Sequence, residues 1–264
     1  MPRILINGII VAHLEITTYI PCINNCGFCP QEGLAQSYKG DAIMTFEIFK
    51  EILLKIPKDV QIHFSGFSEP FGNRESALMM KYAYDQGYEI VLYTTLAGLT
   101  EEDVEILKGI HFKKYVLHLP DDTNLITDEK EWVKSSGLFR QIAIEDEAIY
   151  HIGNLSKEIA DLVPHARKEP ILNRANNVDS GVAPPVDRIK GDINCWVSGN
   201  RFNQNVLLPN GDVVLCCMDF GLKHKLGNLF KNFYDELMIS PEIKQIKKSL
   251  KDESIDSLCR YCVR

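Results

Sequence analysis

The chain has 264 residues, 45% hydrophobic and 25% charged, enough for one large core, or one core plus a small appendage, of an ordinary globular protein. A formal net charge of −7 excludes the basic stripe by which nucleic-acid binders hold phosphates, so no nucleic-acid partner is expected. The apolar run over 4–12 is broken by Asn7 and Gly8 and has no small-residue cleavage site. Neither a signal peptide nor a membrane span is expected there, and the expected compartment is the reducing cytoplasm, where cysteines serve metals or catalysis more than disulfides.

Residues 13–20 alternate apolar and polar and predict a strand leading into a cysteine-bearing loop. Over 43–56, Ile48, Phe49, Ile52, Leu53 and Ile56 mark one face of a helix that Pro57 stops. A strand is expected at 60–65, a helix at 74–86 ended by Gly87, and a strand at 89–94. Thr100 with Asp103 predicts a capping box opening a helix to Lys108. Then follow a strand at 115–119, a helix at 129–135, a strand at 141–145 and a helix at 154–162. Strands and helices alternating in this way imply βαβ units and a parallel α/β sheet. Five or six units fit before residue 175, fewer than the eight of a closed barrel. Pro164, Pro170, Pro184 and Pro185 mark a loop-rich junction, which divides the chain into 1–180 and 181–264. Beyond it, the apolar triplets 206–208 and 213–215 flank Asn210-Gly211, the signature of a hairpin with a type I′ turn. A helix is expected at 233–250, with Lys244, Lys247, Lys248 and Lys251 on its solvated face.

The eight cysteines fall in two terminal groups with none between 30 and 194, which favours two metal sites. Cys22, Cys26 and Cys29, spaced x3 then x2, can place three thiolates on three corners of one cubane iron–sulfur cluster. A fourth iron then stays open for a substrate or cofactor. A zinc knuckle fits this spacing poorly, because zinc sites pair cysteines two or four apart and close all four positions. At the end of the second strand, Ser65-Gly66-Phe67-Ser68-Glu69-Pro70 lets backbone approach a ligand, although alone it reads as a turn. In the C-terminal group the hairpin brings Cys195 near Cys216, and Cys259 with Cys262 completes four thiolates for one metal centre. A C-x2-C pair plus two cysteines is also a zinc-ribbon inventory, so zinc and an iron–sulfur cluster both remain open there. Cys216 and Cys217 are adjacent on a strand and face opposite sides, which leaves one spare.

Cys22-x3-Cys26-x-Phe28-Cys29 resembles the cluster motif of the radical S-adenosylmethionine (SAM) superfamily, with Phe28 in the aromatic place. The resemblance implies an open, partial TIM-like β/α barrel and a [4Fe–4S] cluster whose free iron chelates SAM. It also implies a 5′-deoxyadenosyl radical that abstracts a substrate hydrogen. Gly66, Ser68 and Glu69 resemble the Gly-Gly-Glu-Pro segment that holds the SAM amino group, with Ser68 replacing a glycine. Thr95 and His118 are further family-like positions, and Asn173-Arg174-Ala175-Asn176-Asn177 resembles a segment whose arginine, here Arg174, lies near the reaction chamber. The spacing from Cys195 through Gly211 to Cys216, with Cys259-x2-Cys262, resembles the shortened SPASM, or Twitch, extension. That extension is a small hairpin-plus-helix domain with an auxiliary [4Fe–4S] cluster. Family pattern then makes Cys195, Cys216, Cys259 and Cys262 ligands, and leaves Cys217 as a small buried residue or a hydrogen-atom donor. Asp219 is a candidate base or substrate contact. The implied reaction is dehydrogenation of a sugar or aminosugar hydroxyl, the auxiliary cluster taking the electron, with a flavodoxin or ferredoxin as reductant. Epimerisation through Cys217, modification of a peptide, and a zinc-stabilised binding module are the alternatives. No membrane partner is expected.

Overall fold

The computed structural model describes residues 5–6, 9–10, 12–125, 129–142, 146–179 and 181–262. Its strands are β1 (Leu5–Ile6), β2 (Ile9–Ile10), β3 (His13–Ile16), β4 (Asn25–Cys26), β5 (Gln61–Phe64), β6 (Ile90–Thr94), β7 (Lys114–His118), β8 (Asn124–Leu125), β9 (Glu147–His151), β10 (Arg167–Lys168), β11 (Gln204–Leu207), β12 (Asp212–Val214) and β13 (Lys225–Asn228). The helices are α1 (Gln31–Ser37), α2 (Phe46–Leu53), α3 (Ser76–Asp85), α4 (Glu101–Leu107), α5 (Glu129–Phe139), α6 (Lys157–Leu162), α7 (Tyr234–Leu237) and α8 (Pro241–Ser249). Among the described residues no helix is long and apolar enough to cross a membrane.

Nine strands form one sheet in the order β10-β9-β7-β6-β5-β3-β11-β12-β13. It is parallel from β10 through β11, and only the two pairings β11–β12 and β12–β13 are antiparallel. Among the described residues its edge strands do not pair with each other, so the α/β barrel is open, as expected. The C-terminal hairpin joins this sheet rather than standing apart from it. β11 runs parallel to β3, with Gln204 opposite His13 and Leu207 opposite Ile16. That pairing covers the edge of β3, which would otherwise present unpaired backbone groups.

Alternate strand residues enter two apolar layers. Leu14, Ile16, Ile62, Phe64, Ile90 and Leu92 pack with the helices, among them Phe49 and Ile52 of α2 and Met79 and Met80 of α3. On the inner face Val206, Leu208, Val214, Cys217, Met218 and Phe220 pack with Ile20, Leu34 and Phe67. The alternation in β3 is therefore not one of core against solvent. His13 and Glu15 are buried on the inner face, because a parallel sheet is covered on both sides.

Four expectations are corrected. Gln141 and Ile142 stand in the turn after α5, which runs on to Phe139, and the strand is Glu147–His151; residues 143–145 of the expected strand lie outside the described ones. Glu147–His151 is selected by its pairing with β7, which a local apolar count cannot register. The 129–135 helix is longer than expected for the same reason, with Phe139 packed on Tyr115 at 4.5 Å between ring centroids. The single helix over 233–250 is two, α7 and α8, because Ser240 caps α8 by accepting from the Ile243 N–H while Pro241 occupies its first turn. The hairpin turn is not type I′. Its only positive φ is at Gly211 (80°), the Gly211 N–H donates to the Leu208 carbonyl, and Pro209 holds its own φ negative, giving a three-residue loop. The expected capping box of α4 is present, with Thr100 Oγ1 accepting from the Asp103 N–H.

Candidate metal and cofactor centre

The first cysteine loop leaves the C-terminal end of β3 and is pinned by its neighbours. Tyr19 Oη accepts from the Ile23 N–H at 3.0 Å. Gly72 leaves room for that ring, since a Cβ there would stand 1.9 Å from Tyr19 Oη. The Cys22 sulfur accepts from the backbone N–H of Asn24 at 3.4 Å and of Glu69 at 3.2 Å. Gln31, opening α1, donates to the Cys29 sulfur at 3.5 Å and to the Phe67 carbonyl at 2.6 Å, while its Oε1 accepts from the Cys22 N–H. The 22–29 loop and the 65–70 turn are thereby held as one unit. Cys26 sits in β4, which pairs with β8. Phe28 is partly buried beside Pro30, Asn177 and Asp179.

Burial pushes the Cys22 thiol up to about 11, and burial together with the charges of neighbouring cysteines raises Cys26. Cys29 is also raised by burial, against the lowering effect of Arg174. Left to the protein these groups stay protonated, so holding three thiolates together needs a cation among them.

Gly66 adopts a φ of 71°, and a Cβ there would come within 2.3 Å of Thr17 Oγ1, so only glycine fits this close approach. Glu69 is buried and its carboxylate is fully engaged. Phe71 N–H and Thr94 Oγ1 donate to Oε1 at 3.2 and 2.6 Å, and Thr95 N–H and Thr95 Oγ1 donate to Oε2 at 2.6 and 2.7 Å. Burial raises its pKa against these donors. Asn24 Nδ2 donates to Thr95 Oγ1 at 2.9 Å, which ties the cysteine loop to the end of β6. By contrast, the buried hydroxyls of Ser65 and Ser68 have no protein partner, an opening for a polar ligand at this turn.

His118 ends β7, and burial, then the Arg174 charge, lower its pKa to about 4, so its ring is neutral at pH 7. Arg174, Ala175 and Asn176 are all left-handed, with φ of 47°, 53° and 65°, a costly run for L-residues. Asn177 holds it in place, its Nδ2 donating to the carbonyls of Arg174 and Met218 at 2.8 and 2.9 Å. Arg174 consequently donates to the Cys217 carbonyl at 3.2 Å and lies over the Phe220 ring at 5.1 Å. One guanidinium thus contacts the C-terminal cysteine segment while its charge reaches Cys29.

In the C-terminal group, Cys195, Cys216, Cys259 and Cys262 line one pocket with Trp196, Phe202 and Met218. The Cys195 sulfur accepts from Ser198 N–H at 3.4 Å and Ser198 Oγ at 3.2 Å. Burial raises Cys216 and Cys262, and brings Cys259 up to about 12. Cys217 is buried outside that pocket, with the inner-face residues, and its pKa is raised by burial and by Glu15. Asp219 is fully buried, and accepts from the backbone N–H groups of Lys223 at 2.9 Å and His224 at 2.8 Å. Among the described residues no three His, Cys, Asp or Glu side chains converge closely enough to hold a single metal ion.

Sequence reasoning missed the polar lining beneath these loops. His13 stacks on His63 at 4.1 Å between centroids, His63 on Tyr93 at 6.0 Å, and Glu15 Oε1 lies 3.6 Å from His13 Nε2. The only local signal was polar residues at alternating strand positions, which read equally well as a solvent face.

Residues 195–263 match the SPASM iron–sulfur cluster-binding domain. Over 257 residues the chain is 21% identical to the S-adenosyl-L-methionine-dependent 2-deoxy-scyllo-inosamine dehydrogenase of Niallia circulans, covering 94% of this chain and 91% of that protein. The crystal structure of BtrN in complex with AdoMet and 2-DOIA superposes with a TM-score of 0.63 at 17% identity, over 96% of this chain and 93% of that one. Streptococcus suis SuiB bound to precursor peptide SuiA also gives 0.63, at 14% identity over 96% and 71%. Native anSMEcpe with AdoMet and the Cp18Cys peptide gives 0.58, at 16% identity over 94% and 87%. These likenesses establish the fold that the chain shares with those structures, an open α/β barrel. The expectation of iron–sulfur cofactors agrees with the domain match.

Proposed function

We propose that this chain, a radical SAM fold completed by a SPASM iron–sulfur domain, is a radical SAM oxidoreductase that dehydrogenates a hydroxyl of a sugar or aminosugar. The observation that carries the reading is Arg174, which donates to the Cys217 carbonyl in the C-terminal cysteine segment while its charge bears on Cys29 of the first cysteine loop. Loaded with two [4Fe–4S] clusters and SAM, such a site supplies a 5′-deoxyadenosyl radical for hydrogen abstraction and an acceptor for the second electron.

The protein's own part follows from its residues. Cys22, Cys26 and Cys29 hold the first cluster, and the N–H donors on Cys22 support a thiolate there. Cys195, Cys216, Cys259 and Cys262 hold the second, and their shared pocket favours Cys216 over Cys217 as the ligand. Backbone at Gly66 and the unpartnered hydroxyls of Ser65 and Ser68 receive the amino group of SAM. Glu69, with four donors on its carboxylate, positions this turn together with Thr95. Phe28 packs beside the cluster loop. His118 and Arg174 face the substrate, one as a neutral ring and the other as a fixed cation. Asp219 shapes the turn that presents Cys217. Segment 1–180 carries the radical chemistry and 181–264 the auxiliary centre, with a flavodoxin or ferredoxin as electron source and the cytoplasm as the compartment.

The aminosugar assignment is supported by the likeness to the inosamine dehydrogenase along nearly the whole chain. A second reading, epimerisation of a sugar or peptide carbon, is favoured by Cys217, a buried thiol on the inner face beside Arg174. Cys217→Ala separates the two: a dehydrogenase keeps turnover, whereas an epimerase abstracts hydrogen and fails to invert. Likeness to SuiB and anSMEcpe, both solved with peptides, makes a peptide the other substrate class to screen. Anaerobic reconstitution with iron and sulfide tests the cofactor assignment. About eight irons per chain are expected, and stoichiometric zinc without sulfide contradicts it.

A further inference from the structure

His224 is buried just before β13 and is hydrogen-bonded to the turn after β12, to the terminal cysteine segment and to α8. Its carbonyl accepts from the Leu215 N–H at 3.0 Å, one residue before Cys216. Its own N–H donates to Asp219 Oδ2 at 2.8 Å, and the Asp219 N–H donates to the Cys216 carbonyl. The ring reaches the other way. Its Nε2 accepts from the Leu258 N–H at 3.0 Å, one residue before Cys259. Its Nδ1 lies 2.6 Å from Oε1 of Glu242, in the first turn of α8. Leu215, Cys216, Leu258 and Cys259 all line the pocket of the C-terminal cysteines.

A backbone N–H can only donate, so the nitrogen facing Leu258 must be the one with the lone pair. The ring proton then sits on Nδ1, where the Glu242 carboxylate accepts it. Such a carboxylate fixes both the tautomer and the plane of the ring, as it does for histidines that bind metals. Here the lone pair goes to the protein instead. Leu258 is buried, and a buried N–H deprived of its acceptor is costly. Without the ring the segment would shift to find another acceptor, and Cys259 and Cys262 would move with it.

We propose that His224 is the positioning residue of the auxiliary centre, setting Cys259 and Cys262 against Cys216 through its bond to the Leu258 N–H. The inference rests on the cluster assignment above. A cubane core fixes where its four sulfur ligands must stand, so a displaced terminal pair holds it less tightly. Ser249 Oγ also fastens this segment, donating to Ser257 Oγ at 2.8 Å. That contact ties it to the end of α8, whereas His224 joins it to the turn that carries Cys216.

The test is iron release to the ferrous chelator bathophenanthroline from the anaerobically loaded full chain, in which the first cluster serves as an internal control. The phase that belongs to the auxiliary centre is identified in a Cys22→Ala/Cys26→Ala/Cys29→Ala chain. Glutamine is long enough to set an amide oxygen where Nε2 stood, whereas asparagine reaches only the Nδ1 position and leaves the Leu258 N–H bare. H224N is expected to release the auxiliary irons about tenfold faster than the parent and the first-cluster irons at the parent's rate. H224Q is expected to match the parent in both phases. An unchanged auxiliary phase in H224N overturns the proposal, as does an H224Q as fast as H224N. Both phases quickening together in H224N show a general loosening of the fold, and overturn it too. If H224N takes up no auxiliary cluster, H224Q decides: release at the parent's rate supports the proposal, and a tenfold faster release refutes it. A parent that holds zinc or no cluster at its C-terminal cysteines overturns the cluster assignment itself, and this inference with it.

Discussion

Glu69 shows how a single residue can be central to a site without offering it a free atom. A carboxylate has about four lone-pair positions, and here Phe71, Thr94 and Thr95 fill them with four donors. Glu69→Gln turns one acceptor into a donor facing donors, which is expected to cost about 2–3 kcal/mol of stability. It should weaken SAM binding by displacing the turn, measurable by thermal unfolding beside equilibrium dialysis. Gly66→Ala meets both a left-handed backbone and Thr17 Oγ1, and is expected to lower stability by about 1–3 kcal/mol. The sequence carried the identity of these residues but not their partners, since Thr94 and Thr95 stand 25 and 26 positions from Glu69.

His118 makes a pH prediction. Its pKa falls from 6.5 in the unfolded chain to about 4 in the fold, so between these values the unfolded state takes up a proton that the fold refuses. Its stabilisation is present above pH 6.5 and is lost as pH falls toward 4. From pH 7 to pH 5 the loss attributable to this ring is about 1–2 kcal/mol, allowing for partial exposure. His118→Asn is expected to lose correspondingly less stability over that interval, read as the change in Tm between the two pH values. An unaltered pH response in the variant contradicts the buried neutral ring.

At the scale of elements, the legible parts were those fixed by local chemistry. The α4 capping box and the amphipathic face of α2 appear where the residues put them. Where tertiary pairing or a cap competed with periodicity, periodicity lost. The apolar repeat over 233–250 runs through Ser240-Pro241, yet the Ser240 hydroxyl meets the Ile243 N–H and starts a new helix. Ser240→Ala is therefore expected to cost about 1 kcal/mol in unfolding experiments, whereas a continuous helix would gain from alanine at that position. The hairpin was found correctly but its turn was not, because Pro209 takes the first central position of a Leu208–Gly211 turn, which suits its fixed negative φ, and leaves Gly211 rather than Asn210-Gly211 as the left-handed part.

For the whole molecule, cysteine spacing predicted two centres, and the open sheet shows how the two halves of the chain join. β11 docks on β3, so the strand leading to the first cysteine loop lies next to the hairpin that carries Cys216. What spacing could not reveal is the inner-face layer of His13, Glu15, His63 and Tyr93, because it is assembled across neighbouring strands and β3 is flanked there by the sequence-distant β11. Arg174, which the sequence marked by its segment alone, donates to the Cys217 carbonyl while its charge bears on Cys29, contacts that spacing could not give. The central claim is an iron left open by Cys22, Cys26 and Cys29 for SAM. It is tested most directly by incubating the anaerobically loaded protein with SAM and dithionite and quantifying 5′-deoxyadenosine. The account predicts its release by the wild type, its abolition in Cys22→Ala and its persistence in Cys259→Ala; a chain fully loaded with iron and sulfide that yields none contradicts it.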